Sequence, residues 1–371
     1  MNLLITGADG FIGRNLRAAL QQTDHRLLLL DVGSTDADLQ NAASLADFVF
    51  HLAGVNRPLD EQEFISGNAD FTERLLAALQ GGKRPPVLIS SSTQAALDNP
   101  YGRSKLRAEE AMRDYHAATG SAVYVYRLTN VFGKWSRPNY NSVVATFCHN
   151  IARGLPITIS DPAYTLRLVY IDDVISAFLR ALDGSPATEP GGFFCTVGPE
   201  HEATLEQIAA LVRSFHDVRM TLDLPDQKDP FVRKLFATYQ SFLPPERLAY
   251  TPLTHADDRG SFTELLHMNS YGQVSVNVTK PGVCKGSHWH QTKHEKFIVV
   301  SGKGVIRFRS PFDAEVYSYE VSGDTVSVVD VPPGYVHLIE NTGEHDLVTL
   351  MWASEVFDPA RADTWRFPFD E

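Results

Sequence analysis

The sequence predicts two domains of different architecture: a doubly wound α/β domain on a parallel sheet, followed by an all-β barrel. Three observations predict this. Apolar strand-like runs alternate with helical patterns through the first half. Short Val-rich runs punctuated by Gly, Pro, Asp and Ser fill the chain beyond residue 250. The length, 371 residues, suits two domains.

In the first half, Leu3–Thr6, Leu27–Asp31, Phe48–His51, Val87–Ser92 and Val123–Arg127 read as strands. Phe11–Gln21, Asn68–Gln80 and Tyr101–Thr119 place apolar residues three and four apart, as helices do, and Gly120 reads as a C-terminal cap. Such alternation implies crossover units, a parallel sheet, and function at the carboxyl ends of the strands. In the last third, Gln273–Thr279, Phe297–Val300, Val305–Arg309, Val316–Val321, Thr325–Val331 and Leu347–Ala353 read as strands of a sandwich or barrel. Leu224–Thr254, with five prolines, separates the two regimes, so the domains are expected at 1–243 and 244–371.

Composition narrows the function. A formal charge of −12 argues against nucleic-acid binding, which needs a basic face. No apolar run is long enough to span a membrane, and the N-terminus lacks a basic leader followed by a long apolar stretch. Three scattered cysteines (Cys148, Cys195, Cys284) suit a reducing compartment, so a cytoplasmic location is expected. Seven of the 13 histidines fall after residue 250.

Thr6-Gly7-Ala8-Asp9-Gly10-Phe11-Ile12-Gly13 joins the first strand to the first helix. This is the Rossmann-type dinucleotide turn. Gly7 permits the tight turn, Gly10 lets backbone approach a pyrophosphate, and Gly13 allows close helix–strand packing; the helix N-terminus supplies amide donors. Asp31, ending the second strand, is placed to accept from a ribose hydroxyl, which favours NADH over NADPH, and Asp9 would repel a phosphate there. The expected cofactor-binding residues are Gly7, Gly10, Phe11, Ile12, Gly13, Asp31, Ala53, Tyr101 and Lys105.

Tyr101 and Lys105 are four apart on one helical face. A neighbouring ammonium is expected to lower the tyrosine pKa and fit it as a general acid toward a carbonyl oxygen. Ser92, in the run Ser90-Ser91-Ser92-Thr93, is the chosen hydroxyl partner, with Ser91 and Thr93 as rivals. Together with His51-Leu52-Ala53-Gly54 and Arg127-Leu128-Thr129-Asn130-Val131-Phe132-Gly133, these motifs resemble an extended short-chain dehydrogenase/reductase acting on nucleotide-diphosphate sugars. Two departures stand out. Only nine positions separate Ser92 from Tyr101, and Gln94-Ala95 replaces the Asp-Glu of sugar dehydratases, which favours carbonyl reduction.

In the last third, Gly282, His288-Trp289-His290, Glu295 and Gly302 are followed by Pro332-Pro333-Gly334-Tyr335-Val336-His337 and Asn341. Two His and a Glu on neighbouring strands, with a distant His, can converge on one divalent metal. These residues resemble both motifs of the cupin family, with the second motif's leading glycine displaced to Gly323. The expected ligands are His288, His290, Glu295 and His337, and zinc is the expected metal. His294 reads as solvated or as an outer partner of the site, His345 as a turn residue, His51 as orienting its strand end, Cys284 as a packed thiol, and Trp289 as packing opposite its His neighbours. Lys293, Lys296 and Tyr335 lie near the motif and are unranked as proton-transfer groups.

A sugar-nucleotide reductase fused to a cupin resembles the bifunctional enzymes of capsular-polysaccharide synthesis and their O-antigen relatives. Gly54-Val55-Asn56-Arg57-Pro58, Phe132-Gly133-Lys134-Trp135 and Asp257-Asp258-Arg259-Gly260-Ser261-Phe262-Thr263-Glu264 extend the likeness along the chain. The resemblance implies a homodimer and a UDP-linked 4-keto-6-deoxy sugar substrate. It also implies NADPH, against the physical reading of Asp31. The alternatives are a plain reductase or 4-epimerase with a structural cupin, and a non-enzymatic binding protein, against which Tyr101 and Lys105 count.

Overall fold

The computed structural model describes residues 1–252, 254–257, 260–263, 266, 272–355 and 360–369. Of the residues singled out above, Asp258, Arg259 and Glu264 lie outside these, as do the side chains of Asp257, Ser261, Phe262 and Thr263. Packing divides the chain into two units, Met1–Ser142 with Thr165–Ala203, and Val143–Tyr164 with Thr204–Glu371.

In the first unit the expected strands form within a residue or so: β1 (Asn2–Thr6), β2 (Arg26–Leu30), β3 (Phe48–His51), β4 (Val87–Ser92) and β5 (Val123–Leu128), followed by β6 (Asn130–Phe132), β7 (Thr165–Tyr170), β8 (Phe194–Cys195) and β9 (Glu200–Thr204). Helices α1 (Phe11–Leu20), α2 (Asp36–Leu45), α3 (Gln62–Phe64), α4 (Phe71–Gln80), α5 (Pro100–Thr119) and α7 (Ile171–Leu182) connect them; α6 (Val143–Ala152), α8 (Leu205–Thr221) and α9 (Pro230–Ser241) belong to the second unit. The main sheet has order β2-β1-β3-β4-β5-β8, parallel at every pair. Its strands read as nearly continuous apolar runs because helices cover both faces; Leu4, Val49, Val87 and Val125 are fully buried. The order reverses at β1, so the crevice beyond the carboxyl ends of β1 and β3 is where such a fold binds its ligand. A second sheet, β6-β7-β9, completes the unit.

Two local features depart from simple periodicity. The helix expected from Asn68 begins as a π-helical turn over Ile65–Asp70, and α2, whose apolar residues are mostly alanines, is held at its start by a Thr35/Asp38 capping box. Gly120 caps α5 as expected, with φ +74°.

The second unit carries β10 (Ala249–Tyr250), β11 (Thr254–Asp257), β12 (Gly260–Thr263), β13 (Gln273–Thr279), β14 (Cys284–Trp289), β15 (Glu295–Ser301), β16 (Lys303–Arg309), β17 (Val316–Ser322), β18 (Val328–Val331), β19 (Val336–Asn341), β20 (Leu347–Ala353) and β21 (Trp365–Arg366). Ten of them form two five-stranded antiparallel sheets, β10-β18-β15-β20-β13 and β17-β16-β19-β14-β21, which make the expected cupin-like β domain, and β11 pairs with β12 in a separate two-stranded ribbon. Strands β14 and β19 were not foreseen. β14 mixes Lys285, Gly286 and Ser287 with a register shift between Gly286 and His288, which spoils alternation. The expected strand at Thr325 starts only at Val328.

In this division by packing, α6, α8 and α9 group with the β-rich end. Arg153 donates to the Phe242 carbonyl at 2.9 Å, Arg247 to the Ala152 carbonyl at 3.0 Å, and Arg219 pairs with Asp330 at 2.5 Å. Among the described residues no helix is long and apolar enough to cross a membrane.

Two candidate active sites

The dinucleotide turn is built by close approach. Gly7 has φ +66°, and a Cβ there would lie 2.7 Å from the Ala53 nitrogen, so the turn rests on the end of β3. A Cβ on Gly13 would lie 2.2 Å from the Gly7 carbonyl oxygen. Gly13→Ala must therefore displace the loop; we expect about 1–3 kcal/mol of destabilisation and a marked loss of nicotinamide dinucleotide affinity by fluorescence titration. Gly10 opens α1, and Phe11 and Ile12 begin its first turn, where unpaired amides face an incoming anion. Asp31 accepts from the Asp9 N–H at 2.6 Å and the Val32 N–H at 2.8 Å, which fixes its carboxylate beside the turn. Arg17 pairs with Asp9, so the negative charge expected there is compensated within the loop.

His51 is fully buried between the hydroxyls of Thr6 (2.7 Å) and Thr72 (2.8 Å), and Thr6 accepts from the Ala53 N–H at 3.2 Å. Burial, reinforced by the nearby Lys105 charge, lowers its pKa to about 3, so it is neutral and orients the strand end as expected.

The structure brings Ser92, Tyr101 and Lys105 together. Asn99 caps α5 through the Gly102 N–H at 2.8 Å, with Pro100 in the first turn. The nine-residue path from Ser92 closes through a 3-10 turn over Thr93–Ala96. Gly102 makes this closure feasible, since a Cβ there would lie 2.3 Å from the Gln94 carbonyl oxygen. Ser92 lies near enough to Tyr101 to draw its pKa down, whereas Ser91 is turned to Glu109 at 2.5 Å and Thr93 is exposed, so Ser92 is the hydroxyl placed beside the tyrosine.

The tyrosine differs from expectation in one respect. Its pKa is raised, because partial burial outweighs the lowering influence of Ser92, and the Lys105 Nζ lies 6.0 Å from the ring centre. Lys105 is itself buried and donates to the Ser90 carbonyl at 3.2 Å. Burial lowers its pKa to about 8, with Glu109 pulling the other way. Lys105 therefore loses its charge as pH rises through about 8, while Tyr101 keeps its proton. If both forms are needed, kcat/KM for reduction falls above about pH 8; a flat profile to pH 10 would contradict this role for Lys105.

Sequence reasoning missed the supports. Glu109 is fully buried with Ser91 and bidentate to Arg127 (2.6 and 3.0 Å). Asn68 ties the Val55 backbone to Ser104 on α5.

The second site lies in the β-rich unit. His288 and His337 stand opposite each other on β14 and β19, His290 follows β14, and Glu295 opens β15 in the other sheet. Their ligand atoms all lie within 4.8 Å of one another. His290 Nδ1 is 2.6 Å from the Asp363 carbonyl and His337 Nδ1 is 3.3 Å from the Tyr335 carbonyl; each Nδ1–H therefore donates outward. This leaves Nε2 of both rings as a lone pair, and both Nε2 atoms are buried without a hydrogen-bond partner among the described residues. Burial and the neighbouring imidazoles hold His288 down to about 4 and His337 well below the usual range. Burial would raise Glu295, but His290, His337 and Lys293 hold it well below the carboxylate range. Three imidazoles, two of them with buried Nε2 atoms that no described protein group satisfies, converging with one carboxylate within 4.8 Å, fit a divalent metal.

Trp289 is buried and packs against Trp365, as expected. Two expectations are corrected. Of the two readings of His294 the solvated one is excluded, since the ring is buried between Phe236 and Trp352. Cys284 is exposed and not packed, since it begins β14 at the sheet end. The three proton-transfer candidates now separate. Lys293 Nζ lies 3.3 Å from Glu295, whereas Lys296 is locked in a buried pair with Asp330 at 2.6 Å and bonded to Tyr250 at 3.1 Å. Tyr335 is half-buried, with its pKa raised by that burial.

A switch-point crevice with a Ser/Tyr/Lys cluster, on a chain that also holds a four-donor His/Glu cluster, defines a sugar-nucleotide-type oxidoreductase joined to a cupin-like module. Comparison with known proteins agrees. The model of the NAD dependent epimerase/dehydratase family matches residues 3–194, and that of the polysaccharide biosynthesis C-terminal domain matches residues 255–365. The chain belongs to the NAD dependent epimerase/dehydratase family. It is 40% identical over 367 residues to the UDP-2-acetamido-2,6-beta-L-arabino-hexul-4-ose reductase of Pseudomonas aeruginosa, with 98% of each chain covered. It superposes on the capsular polysaccharide assembling protein CapF of Staphylococcus aureus with TM-score 0.68 and 46% identity, over 99% of this chain and 100% of that one. A UDP-glucuronic acid 4-epimerase from Bacillus cereus, solved in complex with NAD, shares the fold over 58% of this chain and 84% of its own, at 23% identity and TM-score 0.51.

Proposed function

We propose that the chain is a bifunctional UDP-sugar enzyme. Residues 244–371 epimerise C3 of a UDP-2-acetamido-2,6-dideoxy-hexos-4-ulose, and residues 1–243 then reduce its C4 ketone. The product is the UDP-N-acetyl-6-deoxy-L-talosamine type, on the route to UDP-N-acetyl-L-fucosamine. The observation that carries this is the presence on one chain of two complete and chemically distinct side-chain clusters. The full-length likeness to a 4-ketose reductase supports the substrate class.

A ketone at C4 acidifies the C3 hydrogen, so inversion by proton removal and return must precede reduction. His288, His290, Glu295 and His337 would hold a divalent metal, zinc being the proposed one; when bound it supplies Lewis-acid polarisation of the C4 carbonyl. In the N-terminal domain Gly7, Gly10, Phe11, Ile12, Gly13, Asp31 and Ala53 bind a reduced nicotinamide dinucleotide, which supplies the hydride. Ser92 hydrogen-bonds the C4 oxygen, Tyr101 donates its proton to it, and Lys105 holds Tyr101 and the ribose. Reduction removes the acidifying carbonyl and locks the C3 configuration. The enzyme is proposed to work in the cytoplasm as a homodimer.

Product analysis tests the proposal. In deuterated water with unlabelled nicotinamide, the product should carry deuterium at C3 and nicotinamide-derived hydrogen at C4. Hydrogen at C3 would reduce the chain to a plain reductase with a structural C-terminal domain. Asp31 further predicts a higher initial rate with NADH than with NADPH at equal concentration; the reverse order would remove its proposed role.

A further inference from the structure

Asp363 stands 73 residues beyond His290, in a segment no motif covers. Its carboxylate is nonetheless among the most heavily bonded in the β-rich unit. Oδ2 accepts from the Thr292 N–H at 2.7 Å, the Lys293 N–H at 2.8 Å and the Thr292 hydroxyl at 3.1 Å. Oδ1 accepts from the Gln291 N–H at 2.8 Å and the Trp365 indole N–H at 3.0 Å. Its main-chain carbonyl takes the Nδ1–H of His290 at 2.6 Å. Just beyond it, β21 pairs with β14, setting Trp365 opposite Trp289 and Arg366 opposite His288.

Residues 291–293 are the short connection between two of the four cluster donors, His290 and Glu295. Three successive amides in such a turn have no strand to bond with, and a buried unpaired N–H is costly. One carboxylate satisfies all three, and the same residue's carbonyl fixes the tautomer of His290 that leaves Nε2 as a lone pair.

We propose that Asp363 is the positioning residue of the metal centre: it clamps the 291–293 turn and so sets the separation and orientation of His290 and Glu295. This rests on the metal reading of the cluster. Asp363 itself stays outside the donor set, since its carboxylate oxygens are spent on the turn.

The test uses the full-length protein and the metal ion alone. Zinc affinity is measured by chelator competition, and the Co(II)-loaded protein is followed by its visible absorption, for the wild type, His290→Ala, Asp363→Asn and Thr292→Val. Asp363→Asn keeps the volume but turns an amide NH2 toward backbone donors. The main-chain carbonyl that bonds His290 stays, so the loss comes through the turn; the substitution is expected to weaken zinc by up to about 10–100-fold, the range that losing an outer partner of a metal ligand costs, and to shift the Co(II) spectrum, with nicotinamide binding unchanged. Thr292→Val removes one hydroxyl donor from the clamp and should give a smaller loss in the same direction. If Asp363→Asn does not fold, Thr292→Val decides the question. Wild-type zinc affinity and an unchanged Co(II) spectrum in the folded variant, while His290→Ala loses the metal, would overturn the role of Asp363 alone. Wild-type affinity in His290→Ala would instead overturn the metal reading on which it rests.

Discussion

Tyr101→Phe is expected to lower nicotinamide oxidation by about 10²–10⁴-fold, the range a positioned general acid contributes, while exchange of the C3 proton of the 4-keto substrate continues at its wild-type rate. The substitution removes one oxygen. The ring of Tyr101 keeps its contact with Phe64 at 5.5 Å, and Lys105 keeps its bond to the Ser90 carbonyl, so the crevice retains its shape. In the proposed mechanism the phenol is the proton source beside Ser92, and burial raises its pKa, which favours its protonated form. Hydride addition without a proton donor would leave an alkoxide in a poorly solvated site. The proposed C3 exchange uses none of these groups. Following the C3 resonance by NMR in deuterated water and nicotinamide absorbance in the same sample separates the two steps. Loss of both in a folded variant would mean that one site does both reactions.

His290→Ala is expected to do the reverse. It removes a buried ligand atom, Nε2, that lies 3.4 Å from Glu295 in a set of only four. The loss of metal affinity should exceed the ~10–100-fold that an outer partner costs, and C3 exchange should fall to background. Nicotinamide binding should be unchanged, because the dinucleotide turn and the Ser92, Tyr101 and Lys105 cluster are built wholly from β1, β3, β4, α1 and α5 and the loops between them. Metal content by atomic absorption and dinucleotide titration on the same preparation check both halves.

What the sequence made legible is what depends on spacing along the chain. Gly7, Gly10 and Gly13 sit on one strand–turn–helix, Tyr101 and Lys105 on one helical face, and His288, His290 and Glu295 within eight residues. In each case covalent distance nearly dictates spatial distance. The parallel strands were legible because burial on both faces makes them continuous apolar runs. Features set by tertiary contact were hidden. The Glu109–Arg127 pair spans β5 and α5, and nothing in either segment marks it. Asp363 reaches back across 73 residues to His290. Strands β14 and β19, which carry His288 and His337, escaped a search for β-formers because polar ligand residues and a bulge interrupt their alternation. The direction of the Tyr101 shift was misjudged for a related reason. The Tyr-x-x-x-Lys spacing brings the charge near, but only the fold shows that burial outweighs it.

The central claim is that two separate sites act in succession on one substrate. Mixing the Tyr101→Phe and His290→Ala proteins tests it most directly. In deuterated water Tyr101→Phe alone should form reduced product only at a rate about 10²–10⁴-fold lower, and His290→Ala alone should form none that carries deuterium at C3, whereas the mixture should form C3-deuterated reduced product rapidly, because the first variant epimerises and the second reduces. A mixture that forms C3-deuterated product no faster than Tyr101→Phe alone, with both proteins folded and His290→Ala still binding nicotinamide, would contradict the account.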